Sequence, residues 1–241
     1  MEKAADSGST RAIIRVSLYY PGESDDKSKE YSRRAAESDP TDPDAQFELG
    51  IMYLDGKVTE RDEYYAVKWL ERAEEQGHAD AQMALGDFYL HAEVCEEYER
   101  KAVRYFREAS ENGIDMASVS LGFMYQKGVG VPKAYDRAAE MYRMAADRGN
   151  PFGMVYLGAL YDQGFLDDPD PQGKAKEWYE MASAGKENGC VLSHLAEMYE
   201  DGRIDVVDSY EKAIYWYTRA ADLGDDKAIG ALSHVKILKE R

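Results

Sequence analysis

Four histidines, two cysteines and 47 carboxylates are the residues of this chain best suited to chemistry. His78, His91, His194 and His234 fall in no metal-ligand spacing with one another. His91 and Cys95 are four residues apart, which on a helix places both on one face within reach of a single ion. They follow Tyr89 in what reads as an inter-helix loop, and no second pair accompanies them. A zinc site wants about four ligands, so the pair reads as a loop histidine and a small apolar cysteine. Carboxylates gather at Glu60-Arg61-Asp62-Glu63, Glu96-Glu97-Tyr98-Glu99 and Asp167-Asp168-Pro169-Asp170. The last run lacks the spaced oxygens, the glycine and the distal glutamate of a calcium loop, and reads as a solvated loop. There is no glycine-rich phosphate loop, no serine in a nucleophile elbow and no zinc-protease helix motif. No catalytic, cofactor or metal residue is assigned, and the chain reads as a non-enzyme.

What works here is therefore a surface, and composition bounds what it can meet. The 241 residues are 44% hydrophobic and 32% charged, so a packed core is within reach. Acids outnumber bases 47 to 30, a net charge of −17. That excludes a nucleic-acid backbone as the main partner, because phosphates need a basic face. No apolar run approaches the ~20 residues of a membrane helix, so direct membrane insertion is not expected. Glu2, Lys3, Asp6, Arg11 and Arg15 interrupt any apolar signal core over residues 1–20. Two cysteines are too few for a disulfide scaffold. This is compatible with the cytoplasm, the default expectation for location.

The elements that must position the surface repeat. Ala45-Gln46-Phe47-Glu48-Leu49-Gly50-Ile51-Met52-Tyr53 recurs as AQMALGDFY from Ala81, ASVSLGFMY from Ala117, GMVYLGALY from Gly153 and VLSHLAEMY from Val191. Weaker copies start at Ala12 and Ala228, so the anchors are 12, 45, 81, 117, 153, 191 and 228. A motif kept intact at such spacing is a structural repeat with variable loops. A second motif follows each first one, from Ala66, Ala102, Ala138, Ala175 and Ala213, with a degenerate copy from Ser28. Each unit reads as helix A, a loop, helix B and a short turn.

In helix A the small residue, Leu and Tyr fall at offsets 0, 4 and 8, one stripe of a helix. Gly50, Gly86, Gly122 and Gly158 follow the Leu. A glycine inside a helix costs about 1 kcal/mol against Ala, and close approach of another helix is the usual reason to keep it. Gly77, Gly113, Gly149, Gly185 and Gly224 close helix B and suit a left-handed cap. Pro132, Pro169 and Pro171 fall in A-to-B loops. Tyr20, Tyr53, Tyr89, Tyr125, Tyr161 and Tyr199 share one offset, which makes packing their expected role.

The pattern A-xxx-LG-xx-Y-xxG followed by KA-xx-WY-xx-AA-xx-G resembles the Sel1-like repeat, a relative of the tetratricopeptide repeat. Lys127–Gly149 and Asp208–Gly224 carry it best. The resemblance covers nearly the whole chain. It implies an all-α, right-handed α/α superhelix of about six helix-turn-helix repeats, read as a single domain over residues 1–241. It also implies a non-enzymatic adaptor or scaffold that binds another protein. An alternative is a ligand-binding protein or hydrolase of the family's cysteine-rich branch. There each repeat carries a disulfide, whereas Cys95 and Cys190 are alone in their units. A structural spacer within a larger protein is a further alternative. Met1–Gly8 matches the tail of a helix B, so the chain is expected to open in mid-repeat, as a fragment of a longer array. Its uncapped N-terminal end would be a face for self-association. At the other end, Lys236, Lys239, Glu240 and Arg241 suggest a polar cap.

In tetratricopeptide arrays helix A lines the concave side, and by analogy its groove positions are the residue two before the Leu, the residue two after it and both of the two residues that follow the Tyr. Here they include Ile14, Leu18 and Pro21, then Phe47, Ile51, Leu54 and Asp55, then Met83, Asp87, Leu90 and His91, then Val119 and Phe123, with Asp162 beyond. The first four copies are apolar and the sixth, with Glu197, Glu200 and Asp201, is acidic. Clustered exposed apolar residues usually mark a binding surface. Residues 114–149 carry 4 acids and 5 bases, while every other complete unit between 41 and 224 is net acidic. The expected partner is another protein or peptide with apolar anchors and basic flanks. It would contact Phe47, Ile51, Leu54, Asp55, Met83, Asp87, Leu90, Val119, Phe123 and Asp162. No cofactor is expected.

Overall fold

The computed structural model describes residues 41–56, 61–92, 95–184 and 188–239. The expected opening copy with Ile14, Leu18, Pro21 and Tyr20, its helix from Ser28 and the half-repeat at Met1–Gly8 lie outside these residues. So do Glu60, Gly185, Glu240 and Arg241, and of Lys236 and Lys239 only the backbone is described. The chain divides into two compact units, Met1–Ile114 and Asp115–Arg241. In unit 1 the described helices are α1 (Pro43–Asp55), α2 (Glu63–Glu74), α3 (Ala79–His91) and α4 (Glu96–Glu111). Unit 2 holds α5 (Asp115–Lys127), α6 (Tyr135–Asp147), α7 (Pro151–Asp162), α8 (Pro171–Ser183), α9 (Gly189–Glu200), α10 (Ser209–Asp222) and α11 (Asp226–Lys239). No strand occurs among the described residues.

The odd-numbered helices are the A helices and the even-numbered ones the B helices. Each A helix packs chiefly on the B helix that follows it: α1 on α2, α3 on α4, α5 on α6, α7 on α8 and α9 on α10. This is the α-solenoid class, in which each repeat buries its apolar stripe against the next. The glycine after the Leu is what lets the pair close. A Cβ added at Gly86 would lie 2.6 Å from two ring carbons of Phe106. At Gly50, Gly122 and Gly158 it would meet Leu70, Tyr142 and Tyr179 at the same 2.6 Å. The helix-B side chain thus lies flat on bare helix-A backbone.

A matching pattern accompanies this notch. Four residues beyond the glycine, unit 1 places Leu54 and Leu90, where the seated side chains are Leu70 and Phe106. Unit 2 has Gln126, where the seated ring is Tyr142, and the tyrosine hydroxyl donates to Gln126 Oε1 at 2.8 Å. In the fifth described pair Ala196 replaces the glycine, and the Tyr217 hydroxyl donates to Glu200 Oε2 at 2.8 Å. A buried hydroxyl needs a partner, so the acceptor appears only where the ring carries one.

Helix ends follow local chemistry. Gly77, Gly113, Gly149 and Gly224 sit at φ of 80°, 95°, 91° and 87°, the left-handed cap expected of them. The amide after each reaches back five residues, as from His78 to the Ala73 carbonyl at 3.1 Å. Asp62 and Asp170 cap α2 and α8, accepting from Tyr65 N at 3.1 Å and Gly173 N at 3.0 Å. The acidic runs are therefore partly capping groups. Pro171, expected in a loop, is the first residue of α8, where its missing N–H costs nothing.

Candidate functional site

In unit 1, α1 and α3 are successive A helices, and a pocket of about 360 Å³ opens between their C-terminal halves. Ile51 and Leu54 of α1 and Ala84, Phe88 and Asp87 of α3 line it, with His91 at the end of α3. Arg61 and Glu63 stand at the edge, paired at 2.9 Å and both well exposed. Such an exposed pair contributes little to stability. The walls on α1 and α3 are largely apolar, and Asp87 is the carboxylate set into them, the other, Glu63, being paired with Arg61 at the edge.

Burial raises the Asp87 carboxyl above the usual carboxylate range, and nearby His91 pulls it part of the way back. Among the described residues no Lys or Arg pairs with Asp87. A desolvated anion in an apolar wall is under-compensated, and a cation brought beside it would relieve that cost. His91 is tied locally, its Nδ1 2.8 Å from the Asp87 carbonyl oxygen.

Three of the expected contact residues, Ile51, Leu54 and Asp87, meet in this pocket. Phe47, Met83 and Leu90 are half-buried on the same two helices outside its lining, and Asp55 is exposed at the end of α1. Phe47 stacks on His78, centroids 4.8 Å apart, while His78 Nδ1 accepts from Ala81 N at 3.1 Å. Phe47 is thus part of the support for the turn into α3.

The residues expected from unit 2 behave differently. Phe123 is 37% exposed, with the Lys127 ammonium 5.8 Å from its ring centroid. Val119, expected on the surface, lies in the core with Tyr142 and Leu157. Asp162, expected to meet a partner's basic side chain, is buried and already meets one from its own chain. Lys212 Nζ donates to its two oxygens at 3.0 and 3.2 Å, and the Tyr199 hydroxyl donates to it as well.

Phe88, Ala84 and Arg61 were not expected at the site. The signal for Phe88 lay in the repeat. Its offset holds Met52, Met124, Leu160 and Met198 in the other copies, all buried, whereas Phe88 is half-buried. A larger ring where the repeat wants a core aliphatic is pushed to the surface. His91 and Cys95, expected in a loop, instead end α3 and cap α4, with Cys95 Sγ 3.4 Å from Tyr98 N. Among the described residues no three or more His, Cys, Asp or Glu gather as a metal site would require. No helix among them is long and apolar enough to cross a membrane.

The sequence pattern of a family described as Sel1 repeat matches residues 43–78, 79–114, 116–150, 151–186 and 192–225. No curated protein matches the chain. Among solved structures it is similar to a Sel1 repeat protein from Oxalobacter formigenes, at 28% identity and a TM-score of 0.67, covering 90% of this chain and 89% of that one. It is similar in fold to a Klebsiella pneumoniae subsp. pneumoniae structure that also carries the sel1 repeat name. There the identity is 18% and the TM-score 0.59, over 85% of this chain and 97% of the other.

Proposed function

The chain belongs to the Sel1 repeat family, and we propose that it is a non-enzymatic adaptor holding a segment of a partner protein in the α1–α3 pocket. Sel1 repeat proteins generally mediate protein–protein interaction and are typically scaffolds. The observation that carries the finer reading is the desolvated Asp87 carboxylate set among Ile51, Leu54 and Phe88. The partner segment presents an apolar side chain to that wall and a lysine or arginine to Asp87. Apolar burial supplies affinity at ~25 cal/mol per Å², and the cation selects register and speeds arrival. The pocket is small enough to take one anchor side chain, so flanking contacts on Phe47, Met83 and Asp55 complete the footprint.

The test compares the native chain with Ile51→Ser and Asp87→Lys as baits for affinity capture from the native host, followed by titration of each captured protein. Proteins retained by the native chain should be lost from both variants, with helical circular dichroism unchanged. Capture that survives both changes but is lost on Lys68→Glu, in α2, would move the working surface to the B helices.

A further inference from the structure

The α1–α3 pocket has a neighbour within unit 1. A groove of about 410 Å³ lies between the B helices α2 and α4, over the C-terminal end of α3. Val67 of α2, Phe88 of α3 and Tyr98 of α4 give it apolar walls, and Glu71 of α2 sets a carboxylate among them. Phe88 and Glu63 line this groove and the α1–α3 pocket alike. A side chain that lines two cavities is the wall between them, so Phe88 is a ridge with a recess on either side.

Glu71 is half-buried, and among the described residues no Lys or Arg pairs with it. Lys68 shares the groove, but it is exposed and its ammonium lies over Tyr65, 6.0 Å from the ring centroid. The other cations nearby are committed elsewhere. Arg61 is paired with Glu63 at 2.9 Å, and Arg104 with Glu108 at 3.5 Å. Lys101 is paired with Glu97 at 3.2 Å and lies 5.0 Å from the centroid of the Tyr89 ring.

Glu71 thus repeats on the B-helix side of the ridge what Asp87 does on the A-helix side. Each is a partly buried carboxylate in apolar walls with no lysine or arginine of its own chain to pair with. Partial burial strengthens the attraction of such a group for a cation brought beside it. The surrounding field has the same sign, since the described residues between 41 and 114 carry 16 acids and 7 bases. A lysine or arginine suits the recess, because its alkyl stem covers apolar surface while its head stays at a carboxylate.

We propose that the segment held at Asp87 crosses the Phe88 ridge and places a second cationic side chain in the α2–α4 groove, its stem on Val67 and Phe88 and its head at Glu71. This rests on the adaptor reading and gives that partner its chemistry: two basic side chains with an apolar anchor between them.

Calorimetric titration of the full chain with acetylated, amidated peptides tests it. The series is Lys-Leu followed by a glycine spacer of increasing length and then Arg, each with a twin in which neutral citrulline replaces the arginine. At the spacing that spans the ridge, the arginine peptide should bind at least about tenfold more tightly than its twin, the worth of roughly one charge-assisted hydrogen bond. Glu71→Gln should bring that ratio close to one, and Lys68→Gln, which removes a competing ammonium, should raise it. Both substitutions keep the shape of the side chain's stem, so the helical signal and melting temperature should stay near native. Asp87→Asn should weaken both twins alike and leave the ratio standing. A ratio that follows Glu71 while Asp87→Asn changes neither peptide supports the second cation site and counts against the Asp87 anchor instead. A ratio near one at every spacing, a ratio unchanged in Glu71→Gln, or no heat from any peptide at millimolar concentration overturns the proposal.

Discussion

Two side chains show how single atoms are priced in this repeat. Tyr142 is fully buried and donates to Gln126, while the equivalent ring in unit 1, Phe106, sits opposite Leu90. Removing one partner of a buried hydrogen bond costs more than removing both. Tyr142→Phe and Gln126→Leu should each lower stability by about 1 kcal/mol, and the double variant should cost less than their sum. Denaturant titration of the four proteins of the cycle measures this, and strict additivity would sink it. Asp87 is priced in the opposite direction. Its carboxyl is raised by burial, so the folded state holds the proton more tightly than the unfolded chain. The ionisation penalty is absent below the ordinary value of 3.8 and fully present above the raised one. Asp87→Asn should therefore raise the melting temperature at neutral pH, and the gain should vanish in acid. The same variant should lose affinity for a basic segment, since what is costly in the free chain is what the partner compensates.

At the scale of the element, the helix pair depends on a residue that helices disfavour. Ala in place of a mid-helix Gly gains about 0.5–1 kcal/mol where the Cβ is free. At Gly86 that Cβ would meet the ring of Phe106, which is 0% exposed and cannot swing aside. Overpacking of this kind costs about 1–3 kcal/mol, so Gly86→Ala should destabilise, and Gly122→Leu, driven against Tyr142, should do so more severely. Gly230 in α11 supplies the control, because among the described residues a Cβ there meets nothing within 4 Å. Gly230→Ala should stabilise. Melting curves of the two alanine variants with the same sign would contradict the notch as the reason for the conserved spacing of this residue along the repeat.

For the whole molecule the governing quantity is charge. At −17, the chain attracts a cationic segment over a distance set by the ionic strength, about 10 Å at 0.1 M salt. Association with a captured basic partner should slow steeply as salt rises, while dissociation, governed by the apolar wall, should change little. Stopped-flow measurement across a salt series checks this, and an association rate flat in salt would remove the electrostatic half of the adaptor reading. Fold and surface respond differently to change. Four of the five described helix pairs are closed by their own glycine notch, so substitutions that redirect the pocket between α1 and α3 need not disturb the pairs of unit 2.

Periodicity made the repeat legible in the sequence, because a stripe of Ala, Leu and Tyr at helical spacing has one stable use and recurs too often to be chance. The notch glycines and the capping glycines followed from backbone physics alone, and the structure places the four notch glycines and Gly77, Gly113, Gly149 and Gly224 where that physics requires. The site was legible only in part. Ile51, Leu54 and Asp87 share an offset logic and come together, but Val119 obeys the same logic and is buried, because exposure at an offset depends on what the neighbouring helix supplies. Asp162 could be counted as an acid from the sequence, yet its pairing with Lys212 spans 50 residues and two helices, and no local pattern encodes it. The half-buried ring of Phe88 was likewise decided by packing. A side chain's type is written in the chain, whereas its remaining valence is set by which neighbours arrive first.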